Sequence, residues 1–187
     1  MHRPLHHTLA LLVTVLLAGS TTMLVPSAAD AASTGRNDPR DTQGDLDLQR
    51  VRLTTSGKRV VATFTTYARA SRNDLDGSNS LNLHFKVGKH HRTREVLVQW
   101  LGDGLVATIC TYVDSSPVSR NCSQVAVKRS GPRGIRVVIP RAKIKRGATT
   151  YHWRAESIAW TRSAGCRTAP TCEDVVPNSG AYLPWRP

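Results

Sequence analysis

Aromatic rings are scarce in this 187-residue chain, which has two phenylalanines, four tyrosines and four tryptophans, 5% of its residues. A core short of rings must take bulk from tryptophan, so Trp100 and Trp153 are expected inside rather than on a ligand platform. Acidic residues are half as common as basic ones, 13 against 26. That leaves few partners for paired-carboxylate acid–base chemistry. The longest apolar run, residues 9–19, falls well short of the ~20 residues that cross a hydrocarbon core. No Gly-x-Ser-x-Gly elbow, Ser-x-x-Lys or His-Glu-x-x-His occurs, and no stretch holds a helical period. The Ser56-Gly57-Lys58 turn lacks the upstream glycine and the following helix of a phosphate-binding loop.

What is present begins with an address. A short n-region carrying Arg3 and three histidines leads into the apolar run, and Ala29-Asp30-Ala31 has the small-x-small pattern of a signal-peptidase site. Residues 1–31 are therefore expected to be a secretory signal cut after Ala31, leaving a secreted chain with no transmembrane segment. All four cysteines lie beyond that point, and an even count in an exported chain suggests disulfides. Three pairings are open. The sequence-local one, Cys110 with Cys122 and Cys166 with Cys172, closes two short loops and asks no distant elements to meet. Neither pair has the spacing of a structural zinc knuckle.

The net charge of +13 suits either a solvated surface or a surface for an anionic polymer. Its densest part is 128–146, with eight basic residues and no acidic one. Lys128, Arg129, Arg133 and Arg136 are the ligand candidates there.

Residues 32–45 are polar and read as a disordered leader. From Leu46 to the C-terminus, short apolar–polar alternations separated by Gly, Asn, Asp, Ser and Pro clusters read as half-buried strands. Strands are expected at 46–54, 58–68, 81–87, 94–101, 105–113, 123–128, 134–139 and 149–160. The second is expected to be central, and 141–147 to make one helical turn. Gly102-Asp103-Gly104 and Ser130-Gly131-Pro132 are the hairpin turns. The fold class that follows is an all-β, single-domain, antiparallel two-sheet β-sandwich of jelly-roll or immunoglobulin-like kind, with a closed barrel as runner-up.

Several clusters invite a ligand. Asp41, Asp45 and Asp47 could hold calcium with backbone oxygens, Asp45 and Asp47 sharing a face if extended. Solvated loop acids are the plainer reading. The loop 74–79, with Asp74 and Asp76, resembles half a calcium loop without its closing glutamate. His90 and His91 lie in a basic turn that repels cations. Trp160 and Trp185, near the second cysteine pair and the C-terminus, are the better candidates for stacking on sugar rings.

The run Asp41-Thr-Gln-Gly-Asp45-Leu-Asp47-Leu-Gln-Arg-Val-Arg, then Arg59-Val-Val-Ala-Thr-Phe, Val138-Ile139-Pro140-Arg141 and Asp174-Val-Val-Pro177, resembles small exported actinobacterial proteins. In plan these are similar to DOMON-like and family 9 carbohydrate-binding β-sandwiches, some of which hold calcium near the N-terminus. The resemblance implies export, a β-sandwich, and Asp41, Asp45 and Asp47 as ion contacts, with nothing catalytic.

The expected function is a non-enzymatic binding module for extracellular polysaccharide or an anionic envelope component, with calcium its one candidate cofactor. Two alternatives stand beside it. One is a cationic protein acting on nucleic acid or competitor cells; the other is a secreted hydrolase using Glu95, Glu156 or Asp103.

Overall fold

The computed structural model describes residues 32–87, 93–112, 121–145, 147–160, 164–167 and 170–187. The expected signal at 1–31, the turn bearing His90 and His91, and Arg146 lie outside the described residues. Among the described residues, eleven strands and one short helix follow in order: β1 Ser33–Asn37, β2 Leu48–Ser56, β3 Arg59–Thr66, β4 Ser80–Lys86, β5 Thr93–Leu101, β6 Gly104–Tyr112, β7 Asn121–Arg129, β8 Gly134–Pro140, α1 Arg141–Lys145, β9 Tyr151–Ala159, β10 Cys172–Val176 and β11 Leu183–Trp185. No helix described is long and apolar enough to cross a membrane.

All pairings between these strands are antiparallel, as the alternation implies, and the isolated Asp76↔Trp100 bridge is parallel. The strands form one continuous path, β1-β2-β3-β8-β7-β6-β5-β4-β9-β10, with β11 also on β9. The continuity comes from β7. Its residues up to Val125 pair with β6, and from Ala126 onward they pair with β8. One strand thus turns the corner between two halves that a sequence reading separates into two sheets. At the other side β2 approaches β9 and β10, so the sheet rolls up nearly into a barrel.

Alternate side chains line the interior because successive residues of a strand face opposite ways. Val51, Leu53, Phe64, Ala62, Leu81, Leu83, Phe85, Val96, Val98, Ile135, Val137 and Ile139 are all buried. Tryptophan supplies the missing ring volume as expected: Trp153 is fully buried, and Trp100 packs at the margin of the core. The strand 59–66 is central, between β2 and β8. Arg141 opens the helical turn, which buries Ile144.

Three features depart from expectation. The segment given as a disordered leader contains β1, whose Ser33–Asn37 pair with Asn37↔Arg50 through Ser33↔Thr54 of β2. Its side chains are polar because it is an edge strand with little to bury. The short strands β10 and β11 also escape the alternation pattern. Trp185, expected at the surface, is buried at 4% exposure. It pairs with Tyr151 in the β9–β11 ladder and packs on that ring at 5.9 Å, which in turn meets Phe85 at 6.0 Å.

Both expected disulfides are present: Cys110–Cys122 ties β6 to β7, and Cys166–Cys172 anchors the start of β10. Such bonds suggest an extracellular or otherwise oxidising environment. The β7–β8 hairpin is tight enough to test. A Cβ on Gly134 would lie 2.6 Å from the Ser130 carbonyl oxygen, nearer than real contacts allow. Gly134→Ala is expected to lower stability by about 1–3 kcal/mol, read as a fall in the urea midpoint. An unchanged midpoint would show the hairpin to be slack.

Candidate functional site

The rolled sheet keeps acids out of one half while cations occur in both. Strands β1, β2, β3, β7 and β8 contain no Asp or Glu, whereas Glu95, Glu156, Glu173 and Asp174 lie on β5, β9 and β10. On the outer face of the basic half, register puts Arg52 beside Thr63, Thr63 beside Arg136 and Arg136 beside Lys128. Inward neighbours Val51, Leu53, Val137 and Ile135 are buried, which fixes the row's outward sense. Arg50 continues the patch, next to Asn37 of β1 and Thr65 of β3. Adjacent strands are ~4.8 Å apart, so Arg52 and Arg136 are separated by two such steps, close to one Debye length in physiological salt.

Of the four basic residues expected to bind, Lys128 and Arg136 belong to this row. Arg133 is exposed on the turn beside it, and its Nη1 reaches the Tyr67 carbonyl at 3.5 Å. Arg129 faces the other way, its guanidinium 5.8 Å from the centre of the Trp100 ring, which also carries Arg72 at 6.0 Å. Arg50 and Arg52 were not singled out by sequence, because their membership depends on pairing with β3 and β8, strands that follow β2.

Trp160 is the stacking candidate that remains exposed, at 55%. It sits at the end of β9, its backbone N–H donating to Asn79 Oδ1 at 2.7 Å. That places it on the half of the sheet opposite to the basic row.

The outer face of β4 and β9 carries a second polar group. His84 Nε2 and Arg154 Nη2 each lie 3.5 Å from Glu156 Oε2, and Glu95 stands across from His84 in the ladder. The Tyr182 ring covers Arg154 at 5.2 Å and Lys86 at 4.1 Å. His84, Arg154 and Asn82 together hold the Glu156 carboxyl below its ordinary value, the His84 contact contributing most and burial opposing it. A carboxylate held ionised in this way is poorly tuned to donate a proton. Asp103, the third acid considered for hydrolysis, lies in the exposed β5–β6 turn.

The aspartates expected to hold an ion divide. Residues 41–47 are not extended, so the alternation that would put Asp45 and Asp47 on one face does not apply. Asp45 turns toward 164–167, donating its N–H to the Ala164 carbonyl at 2.7 Å, and burial pushes its carboxyl up. Asp41 instead meets Asp38 and Asp174, one oxygen from each lying within 4.8 Å of the other two. Asp47 approaches the same group, and burial with Asp174 and Asp41 facing it pushes its carboxyl up to about 6. Burial, then Asp174 and Asp41, push Asp38 up to about 7. In the 74–79 loop, Asp74 Oδ2 accepts the Ser71 N–H at 2.5 Å and Asp76 Oδ1 accepts that of Gly77 at 2.9 Å. Those two carboxylates serve their own turns.

Comparisons of this chain with family models, curated proteins and solved structures find no match. Function is therefore read from the geometry.

The Glu156 cluster gives a pH-dependent prediction. Because its folded-state carboxyl lies below the ordinary 4.5, its stabilisation is complete above that value and lost as pH falls through the lowered one. Glu156→Gln should cost about 1–3 kcal/mol at pH 7. Denaturant titrations of both forms should converge in acid, and a gap that persists at low pH would exclude the charged interaction as its source.

Proposed function

We propose that this chain is a secreted, non-enzymatic binding module that holds an anionic cell-envelope polymer against the outer face of β2, β3, β8 and β7. The observation that carries the reading is the in-register row of Arg52, Arg136 and Lys128 on strands with no acidic side chain. Structural cations in a folded domain are usually interspersed with acids. A row this wide without one raises a positive potential that a string of phosphates or carboxylates meets repeatedly. In this reading the domain behaves as a two-layered jelly-roll, one layer facing the polymer and the other closing the core.

Neutral sugar stacking is less well supported, because Trp185 is buried and Trp160 stands alone on the other half. The ionised Glu156 and the isolated Asp103 likewise support binding over hydrolysis.

Retention on purified polyglycerol-phosphate teichoic acid tests the proposal. Binding at low salt is expected, with log K falling linearly in log salt by about 0.7–0.9 per phosphate engaged. Replacing Arg52, Arg136 and Lys128 together by Gln should weaken it at least tenfold and flatten the salt slope by about two to three. Trp160→Ala should leave it unchanged. No retention at low salt, or a loss caused by Trp160→Ala alone, would overturn the reading, and preferential retention on DNA would favour the nucleic-acid alternative.

A further inference from the structure

We infer that Asp38, Asp41 and Asp174 bind one calcium ion at the seam where β10 returns to β2, with Asp47 adding a fourth negative charge. The geometry is that of a single hard cation. Oxygens bound at ~2.3–2.6 Å to one centre lie no more than about twice that distance apart. One oxygen from each of the three carboxylates meets the others within 4.8 Å.

Burial supplies the independent argument. Asp47 is 1% exposed, Asp174 3% and Asp38 4%. Oδ2 of Asp38 and both carboxylate oxygens of Asp47 are buried and make no hydrogen bond of normal geometry, the Thr42 backbone N–H being the one donor that favours the charged Asp47 among the described residues. Leaving an acceptor in that condition costs about 1–3 kcal/mol, and more when it is charged. Among the described residues the cation paired with the group is Arg40, 4.0 Å from Asp47 and with its side chain 75% exposed, and one exposed guanidinium does not offset four acids. In a chain otherwise so basic, this concentration of uncompensated negative charge calls for a positive ion or for protons.

The surroundings hold the group in place rather than neutralising it. The backbone N–H of Leu48 donates to Asp174 Oδ2 at 2.6 Å, and the Asn178 amide donates to Asp41 Oδ2. Tyr67 donates its hydroxyl to the Asp38 carbonyl oxygen at 2.6 Å. The Thr42 hydroxyl also reaches Asp41 Oδ1 at 3.4 Å; each contact fixes a ligand's position and uses one lone pair, leaving the others on these carboxylates for a metal, as outer contacts do around metal sites. Calcium suits the set better than zinc because all the donors are oxygens and no imidazole or thiolate joins them.

The test is calorimetric titration of the purified protein with calcium chloride at pH 7.5 after dialysis against EGTA. One ion per chain is expected, with the melting temperature rising by about 5–10 °C when calcium exceeds its Kd a hundredfold. Asp41→Asn, at an exposed position that tolerates change, should weaken binding at least tenfold. Asp45→Asn should leave affinity unchanged. Terbium gives a second readout: its emission, sensitised through the adjacent Tyr67, should appear on binding and be displaced by calcium. Absence of calcium heat and of terbium emission at millimolar ion would overturn the inference and assign the neutralising charge to protons shared between Asp38 and Asp174. So would a loss of affinity in Asp45→Asn with none in Asp41→Asn. Neither result depends on the polymer-binding face.

Discussion

One buried side chain bridges β10 to β2 where the rolled sheet comes back on itself. β1 covers β2 only from Arg50 onward, and the β2–β3 ladder slips between Leu48 and Arg50. The Leu48 N–H is left without a strand partner just where β10 returns. Asp174 accepts it at 2.6 Å across a separation of 126 residues. A buried donor must be satisfied by something, and here a carboxylate does what another strand would otherwise do. The closure carries an electrostatic cost, since burial pushes the Asp174 carboxyl up. Three further aspartates crowd the same place.

The charge pattern follows from the topology. Because β7 turns the corner, strands distant in the sequence, β2 and β3 at one end and β8 in the middle, share a face. Their outward positions carry Arg52, Thr63 and Arg136 together with Val61 and Val138 and no acid, while acids gather on β5, β9, β10 and the seam. Charges on one face within about a Debye length add rather than average out. A net charge quoted for the whole chain conceals this polarity. One half is more basic than the total suggests, and the seam is strongly acidic.

The legible parts of this fold are those whose pattern is local. β4 shows its burial in sequence because Leu81, Leu83 and Phe85 alternate with Asn82, His84 and Lys86, and the β5–β6 hairpin shows in Gly102-Asp103-Gly104. The short spacing of the cysteines favours the local pairing that the structure has, although three pairings are open in sequence. β1 escapes detection because an edge strand needs no apolar face, and β10 and β11 because five and three residues are too few to display a period. Asn82 is buried on the face expected to be wet, since it lies against Glu156 of β9, a neighbour no local window contains. The same limit governs the acidic site. Asp41 and Asp47 draw attention by proximity in sequence, but Asp45 is turned away by the chain's bend toward 164–167. Asp174 joins only through the long-range return of β10. The Asp174-Val-Val-Pro177 step was visible as a motif, and its pairing with the N-terminal acids was not.

The acidic seam and the basic face are neighbours, and that bears on how each would work. Asn37 pairs with Arg50, and the next residue, Asp38, donates its N–H to the Gln49 carbonyl at 3.0 Å. The acidic pole therefore begins one residue beyond the end of the patch that Arg50 occupies. Fully ionised and without a counter-ion, four carboxylates there would repel an approaching polyanion and draw Arg50 toward themselves. A divalent cation among them would cancel much of that repulsion and free the arginine for the polymer. Coupling of this kind is reciprocal, so a polymer bound at Arg50 would in turn strengthen cation binding at the seam. The sign of such a coupling would follow from geometry: two sites of opposite charge, one on β2 and the other just past the end of β1, would each relieve the electrostatic cost of filling the other.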